Sequence, residues 1–157
     1  MTSASEIRRP TLAITDLDAL AFNYRSVRAF IGDDVRVMAV VKANAYGHGA
    51  LQCSRRLETE GVEWLGVALP EGAIELRRGG IRSRILCLGG FGAGQEPALF
   101  QQNITPAISS IEQAESLNRA ALDRGECINV HLKFDTGMGR IGVRWDQAAE
   151  FAKQLRP

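Results

Sequence analysis

Apolar residues along the chain gather in short unbroken runs, and the polar stretches between them carry helical spacing. The runs Val35–Val41, Trp64–Leu69, Arg84–Leu88, Ile104–Ile108 and Cys127–Phe134 predict five strands. They do not alternate polar with apolar, so they read as strands buried on both faces. Thr11–Ile14 predicts a further short strand, and residues 1–10 read as a loose tail. Asp16 or Thr15 is placed to cap a first helix, and Leu17, Leu20, Tyr24, Val27 and Ile31 give it an apolar stripe. Gly32–Asp33–Asp34 ends that helix. A second helix runs from about Gly49 to Glu60. A third opens at Pro70–Glu71, where proline suits the first turn, and stops at Gly79–Gly80. Gln95–Gln102 predicts a short helix. Ser109 or Ser110 caps another, which runs to Arg124 with Glu112 and Glu115 favourably placed in its first turns. Asp146–Leu155 predicts a last one.

Strand and helix therefore alternate, which predicts an α/β fold with a parallel sheet covered by helices. No proline- or glycine-rich linker splits the chain into two domains. Pattern alone does not choose between an open doubly wound sheet and a piece of a barrel. The glycine-rich Gly89–Gly94 stretch misses the dinucleotide-binding spacing and lacks a P-loop lysine, so it reads as a mobile loop.

Composition narrows the function classes. At 157 residues the chain is long enough for one domain with a real core. A formal charge of +1 gives no reason to expect nucleic acid or a membrane surface as partner. No apolar run reaches membrane-spanning length, and Met1–Arg9 lacks a signal-peptide core. Cys53, Cys87 and Cys127 form no metal-type spacing, and an odd count without a framework suggests a reducing cytosol. Cys87 and Cys127 lie in apolar runs and read as small hydrophobes. With only His48 and His131, a histidine-rich metal site is not expected.

One stretch carries candidate chemistry. Val37–Val41 runs straight into Lys42, and the polar turn Ala43–Gly49 follows. Lys42 then ends a buried strand, half out of water, where an amine deprotonates more easily than on the surface. A neutral amine is what Schiff-base chemistry with an aldehyde requires. Position alone is equally met by a strand-end lysine that snorkels to solvent.

The longer string Val41–Lys42–Ala43–Asn44–Ala45–Tyr46–Gly47–His48–Gly49 closely resembles the pyridoxal-phosphate lysine motif of alanine racemases. A second string, His131–Leu132–Lys133–Phe134–Asp135–Thr136–Gly137–Met138–Gly139–Arg140–Ile141–Gly142, resembles that family's strand-and-turn motif. The opening Ile14–Leu20 also resembles the family's start. The resemblance covers almost the whole chain and implies an eight-stranded TIM-type (β/α)8 barrel followed by a C-terminal β domain. A whole barrel takes about 250 residues, so this chain would hold some five βα units and look like an N-terminal part. By the same analogy the Thr11–Ile14 strand belongs with the β domain.

The resemblance implies roles residue by residue. Lys42 would bind the cofactor pyridoxal 5′-phosphate covalently and act as base on one face of the substrate. Tyr46 would hydrogen-bond the cofactor phosphate. Arg140 would hold the substrate carboxylate and the cofactor phenolic oxygen, a task suited to a fixed guanidinium fork. Lys133 would be carbamylated, which turns a cation that repels Arg140 into an anion that orients it; read from the residues alone, it is also a lysine paired with a carboxylate. Asp135 reads as a cap on the turn by bonds to backbone amides. His48 reads as a helix-start residue and His131 as a satisfied core histidine. The family's other base is a tyrosine from a partner subunit's C-terminal domain, and its pyridine-nitrogen arginine comes from a late strand. No stretch here matches either, so the chain alone is expected to be inactive. The implied activity is interconversion of L- and D-alanine, supplying D-alanine for peptidoglycan, in a cytoplasmic homodimer. Two other readings stand beside it: another PLP-barrel racemase or decarboxylase, and a non-catalytic module.

Overall fold

The computed structural model describes residues 11–155. The tail expected over residues 1–10 lies outside the described residues. Five parallel strands form one sheet in the order β1-β2-β3-β4-β5: Met38–Val40, Trp64–Val67, Arg84–Cys87, Ile104–Ile108 and His131–Leu132. Strand order follows chain order with no reversal. A doubly wound sheet needs a point where the order reverses, so the topology is that of consecutive barrel units.

The helices lie where the sequence places them, for the reasons it offers. Asp16 caps α1 (Leu17–Ile31) by accepting the amides of Asp18 and Ala19. Ser110 caps α6 (Ile111–Arg124), accepting the Gln113 amide. Pro70 opens α4 (Pro70–Arg78). Between them, α3 (Ala50–Thr59) and α5 (Glu96–Gln101) complete the outer layer, and α7 (Ala148–Gln154) follows a 3-10 turn at Trp145–Gln147.

The core lies between the sheet and this layer. Leu65, Val67, Ile85, Cys87, Ile104 and Ile108 face it from the strands, and Cys53, Leu57, Ala73, Leu76, Leu99 and Leu117 from the helices. The other face of the sheet is buried at its centre, at Leu86 and Ala107, and more open along β1. Around Gly66, Met38, Val40 and Leu88 crowd so closely that an added Cβ would lie 3.3–3.4 Å from their side chains. Met38 and Val40 are still more than a third exposed. The expectation of strands buried on both faces thus holds for β2, β3 and β4, where successive residues are buried, and fails at the edge strands β1 and β5.

Other expectations are corrected. Thr11–Ile14 forms no strand; Leu12 and Ile14 are largely exposed. Of Val35–Val41, only Met38–Val40 pairs, since the ladder to β2 begins at Met38↔Trp64. The fifth run splits. Only His131 and Leu132 pair with Ala107 and Ile108, so Cys127 is exposed and irregular rather than a small core hydrophobe. His131 is exposed on this edge strand, its ring 5.5 Å from that of Trp64, and is not a core histidine. Beside the glycine-rich loop, Gln95 accepts the Gly92 amide at 2.7 Å and donates to Glu71 at 2.8 Å.

Two charged residues lock the end of the sheet where strands begin. Arg77 donates to the carbonyls of Ile81, Ser83 and Gln102, each at 2.8 Å, and of Asn103 at 3.0 Å. Glu58 accepts the amides of Arg82 and Ser83 and the Ser83 hydroxyl. Burial pushes the Glu58 carboxyl up, but these bonds, with Arg77 beyond, hold it below the usual carboxylate value. That leaves the opposite end, where strands finish and chemistry collects in such folds.

Candidate functional site

Lys42 follows β1 directly and is half-buried. What comes next is unusual. Ala43, Asn44, Ala45 and Tyr46 all have φ between 50 and 54°, forming a left-handed turn, α2 (Lys42–Tyr46). Left-handed backbone costs an L-residue roughly 1–2 kcal/mol, so four in a row need heavy support. The Ala45 amide donates to Val41, and the Gly47 amide to Ala43 and Asn44. The Gly49 amide also reaches the Asn44 carbonyl, at 2.9 Å. Ala45 buries its methyl in the core. Gly47, with φ 88°, closes the turn where a side chain would be strained. His48 Nδ1 lies 2.8 Å from the Ala45 carbonyl, and Thr15 donates to the His48 carbonyl from the strand-free segment before α1. His48 is therefore a turn residue just ahead of α3, as its place before a glycine implies. Tyr46 leaves this turn with its side chain 61% exposed.

Sequence reasoning missed Asn44. Its side-chain oxygen accepts the Ala50 amide at 2.8 Å and caps α3, whose own N-cap, Gly49, has no side chain to do so. The available signal was an asparagine in a glycine-bearing turn ahead of a helix, since asparagine tolerates left-handed backbone and bonds nearby amides.

The second motif sits at the end of β5. Lys133 is fixed three ways. Its amide donates to Ile108 at 2.8 Å, continuing the β4 ladder, and its carbonyl accepts the Val143 amide at 2.9 Å. Its Nζ donates to the Leu88 carbonyl at 3.0 Å, reaching over β4 to the end of β3. The half-buried lysine is thus held by a carbonyl rather than by a carboxylate. From here the chain leaves the sheet and pairs β6 (Phe134–Asp135) with β7 (Val143–Arg144), a ribbon the sequence reading did not anticipate. Phe134 packs edge-on against Phe151 of α7, ring centroids 6.2 Å apart.

Asp135 caps the connecting turn as expected. Its Oδ1 accepts the amides of Gly137 at 2.9 Å and Gly139 at 3.0 Å. The bonds from Gly139 and Gly137 hold its carboxyl below the usual aspartate value. Arg140 follows this turn, exposed and without an ion-pair partner among the described residues.

Because the strands are parallel, Lys42 and the Lys133–Arg140 segment share one end of the sheet. Amine, phenol and guanidinium are thus offered at one end of the sheet, a donor set that suits an anionic carbonyl compound. No group of three or more histidine, cysteine, aspartate or glutamate side chains that would hold a metal occurs among the described residues. Cys87 lies beneath the site but faces the core. Burial pushes its thiol up to about 11, and its Sγ donates to the Gly90 carbonyl, so it is an inert packing group.

Residues 15–157 match the family model described as alanine racemase, N-terminal domain. An alanine racemase of Halothermothrix orenii is 43% identical over 149 residues, covering 95% of this chain and 39% of that protein. One from Geobacter sulfurreducens is 45% identical over 148 residues, again covering 39% of its length. Among solved structures, the alanine racemase of Clostridium difficile 630 superposes with a TM-score of 0.88 at 36% identity, over 96% of this chain and 40% of that one. The alanine racemase of Bartonella henselae with covalently bound pyridoxal phosphate gives a TM-score of 0.80 at 27% identity, over 88% of this chain and 40% of that one. The chain spans about two-fifths of the length of these relatives.

Proposed function

The chain belongs to the alanine racemase family, whose N-terminal domain it matches, and from that premise we propose that its protein interconverts L- and D-alanine with pyridoxal 5′-phosphate. One observation carries the reading. A strained left-handed turn after Lys42 and the triply anchored Lys133 segment lie at the same end of one parallel sheet, at its two edges.

The residues present fit the cofactor. Lys42, half-buried at the end of β1, would be its covalent tether. The exposed Tyr46 side chain would donate its hydroxyl to the phosphate. When bound, the cofactor supplies an electron sink for the charge left at the α-carbon. Lys42 Nζ would also take or return the α-proton on one face of the substrate. Arg140 holds the substrate carboxylate through charge-assisted bonds. Lys133 sits with its nitrogen against the Leu88 carbonyl; carbamylated, it would present an anion to Arg140 in place of a repelling cation.

Further βα units would complete the TIM-type barrel on the free sides of β1 and β5, and a partner copy in a homodimer would supply the opposite-face base. The reaction would run in the cytoplasm and feed D-alanine to the cell wall. No described helix is long and apolar enough to cross a membrane, and the three cysteines are free thiols.

The test is to add pyridoxal 5′-phosphate, reduce with borohydride and map the labelled peptide. The label is expected on Lys42. A label on Lys133 would sink the assignment. In a protein carrying the complete barrel, loss of L-alanine optical activity is expected without release of carbon dioxide; carbon dioxide release would make it a decarboxylase instead.

A further inference from the structure

We propose that Asn44 is the positioning residue of the cofactor turn, setting Lys42 and Tyr46 in place through one side-chain bond. This rests on the racemase reading only for what the turn is for; the geometry stands by itself. Asn44 sits two residues after Lys42 and two before Tyr46, with φ 54°. Its carbonyl accepts the amides of Gly47 and Gly49, at 3.1 and 2.9 Å. Its Oδ1 accepts the Ala50 amide at 2.8 Å. One residue thus accepts three amides across the turn; the Gly47 amide is shared with the Ala43 carbonyl, and the Gly49 and Ala50 amides at the start of the helix are met by Asn44.

Asn44 does this without packing into the core, because it is exposed. Its contribution is directional rather than hydrophobic. The carbonyl bonds hold the turn, and the side-chain bond joins it to α3, which is itself anchored by buried Ala50, Cys53 and Leu57. Remove the Oδ1 bond and the turn keeps its internal bonds, the buried Ala45 methyl and the Thr15 bond, but loses its side-chain bond to the start of α3. Lys42 and Tyr46, on either side, then move with it. Asparagine meets both demands of the position, since it accepts left-handed backbone and carries a short acceptor.

The experiment compares the wild-type chain with Asn44→Gly and Asn44→Asp. Glycine keeps the left-handed backbone and deletes the acceptor; aspartate keeps both. Without cofactor, all three are acetylated briefly with acetic anhydride, and the lysines, Lys42, Lys133 and Lys153, are compared by peptide mapping. Lys153, exposed on α7, is the internal standard. In Asn44→Gly the Lys42-to-Lys153 labelling ratio should rise about fivefold, the factor a single net hydrogen bond is worth, and Asn44→Asp should restore it. Pyridoxal 5′-phosphate titrated into the same proteins should bind Asn44→Gly about fivefold more weakly, again with rescue by aspartate. An unchanged labelling ratio in Asn44→Gly, or a changed one that aspartate does not restore, overturns the proposal. Failure of a protein carrying the complete barrel to take the cofactor on Lys42 would instead overturn the racemase reading, while the labelling ratios still decide the role of Asn44.

Discussion

The two ends of the sheet use charge in opposite ways. Where strands begin, the Arg77 guanidinium is spent on four backbone carbonyls, and Glu58 accepts two amides and a hydroxyl. Where strands finish, Tyr46 and Arg140 are exposed, and strain is stored in four left-handed residues. Charged groups whose hydrogen bonds all close within the protein stabilise it. Those left with open donors beside a strained backbone are set for a ligand. The contrast separates structural from chemical arginines, which residue type alone does not.

The largest effect that sharpens this contrast is at Lys42. Lys42→Ala should abolish cofactor trapping and, in the complete enzyme, racemisation, because tether and base go together. Thermal unfolding of that variant should stay near wild type; a large drop would make Lys42 a structural residue. Arg77→Ala should do the reverse. It is expected to cost about 2–3 kcal/mol in denaturant unfolding, the scale of lost bonds from a charged group, with trapping on Lys42 intact in the folded fraction. Equal stability to wild type would break the comparison at its structural end.

Arg140→Lys in the complete enzyme should lower kcat/KM at least about tenfold, equal to roughly 1.4 kcal/mol, because a lysine offers no fork for a carboxylate. Near-wild-type kinetics would move Arg140 out of the site. Acid titration should give the smallest effect. Glu58 has a folded pKa below its unfolded one, so the unfolded chain binds more protons. Its contribution is therefore present above the ordinary glutamate value of 4.5 and lost as pH falls through the lower folded value. Glu58→Gln should flatten that part of the stability profile below pH 4.5; an unaltered profile would assign the acid sensitivity elsewhere.

Much of this was legible in local chemistry. Asp16, Ser110 and Pro70 announce helix starts because each acts on amides within its own first turn. The runs at Trp64, Arg84 and Ile104 announce strands because both neighbours in the sheet are present to pair with them. The same logic fails at the sheet edges. Val35–Val37 and Cys127–Val130 have the composition of strands but no ladder, since pairing needs a second backbone. His131 has an apolar neighbourhood in sequence and yet lies exposed, for the same reason.

At the site the sequence by itself determined which groups are offered: an amine after an apolar run, a tyrosine four residues on, an arginine after a glycine turn capped by Asp135. Their identities and spacing are covalent facts and survive any fold. Tertiary structure decided that the two motifs share one end of one sheet, because only parallel pairing carries Lys133 to the side on which Lys42 finishes. It also decided the handedness of the turn. Ala43, Asn44, Ala45 and Tyr46 carry no local preference strong enough to hold left-handed backbone. Bonds to Ala50 and from Thr15, with the buried methyl of Ala45, offset a strain that the isolated segment would relieve by unwinding.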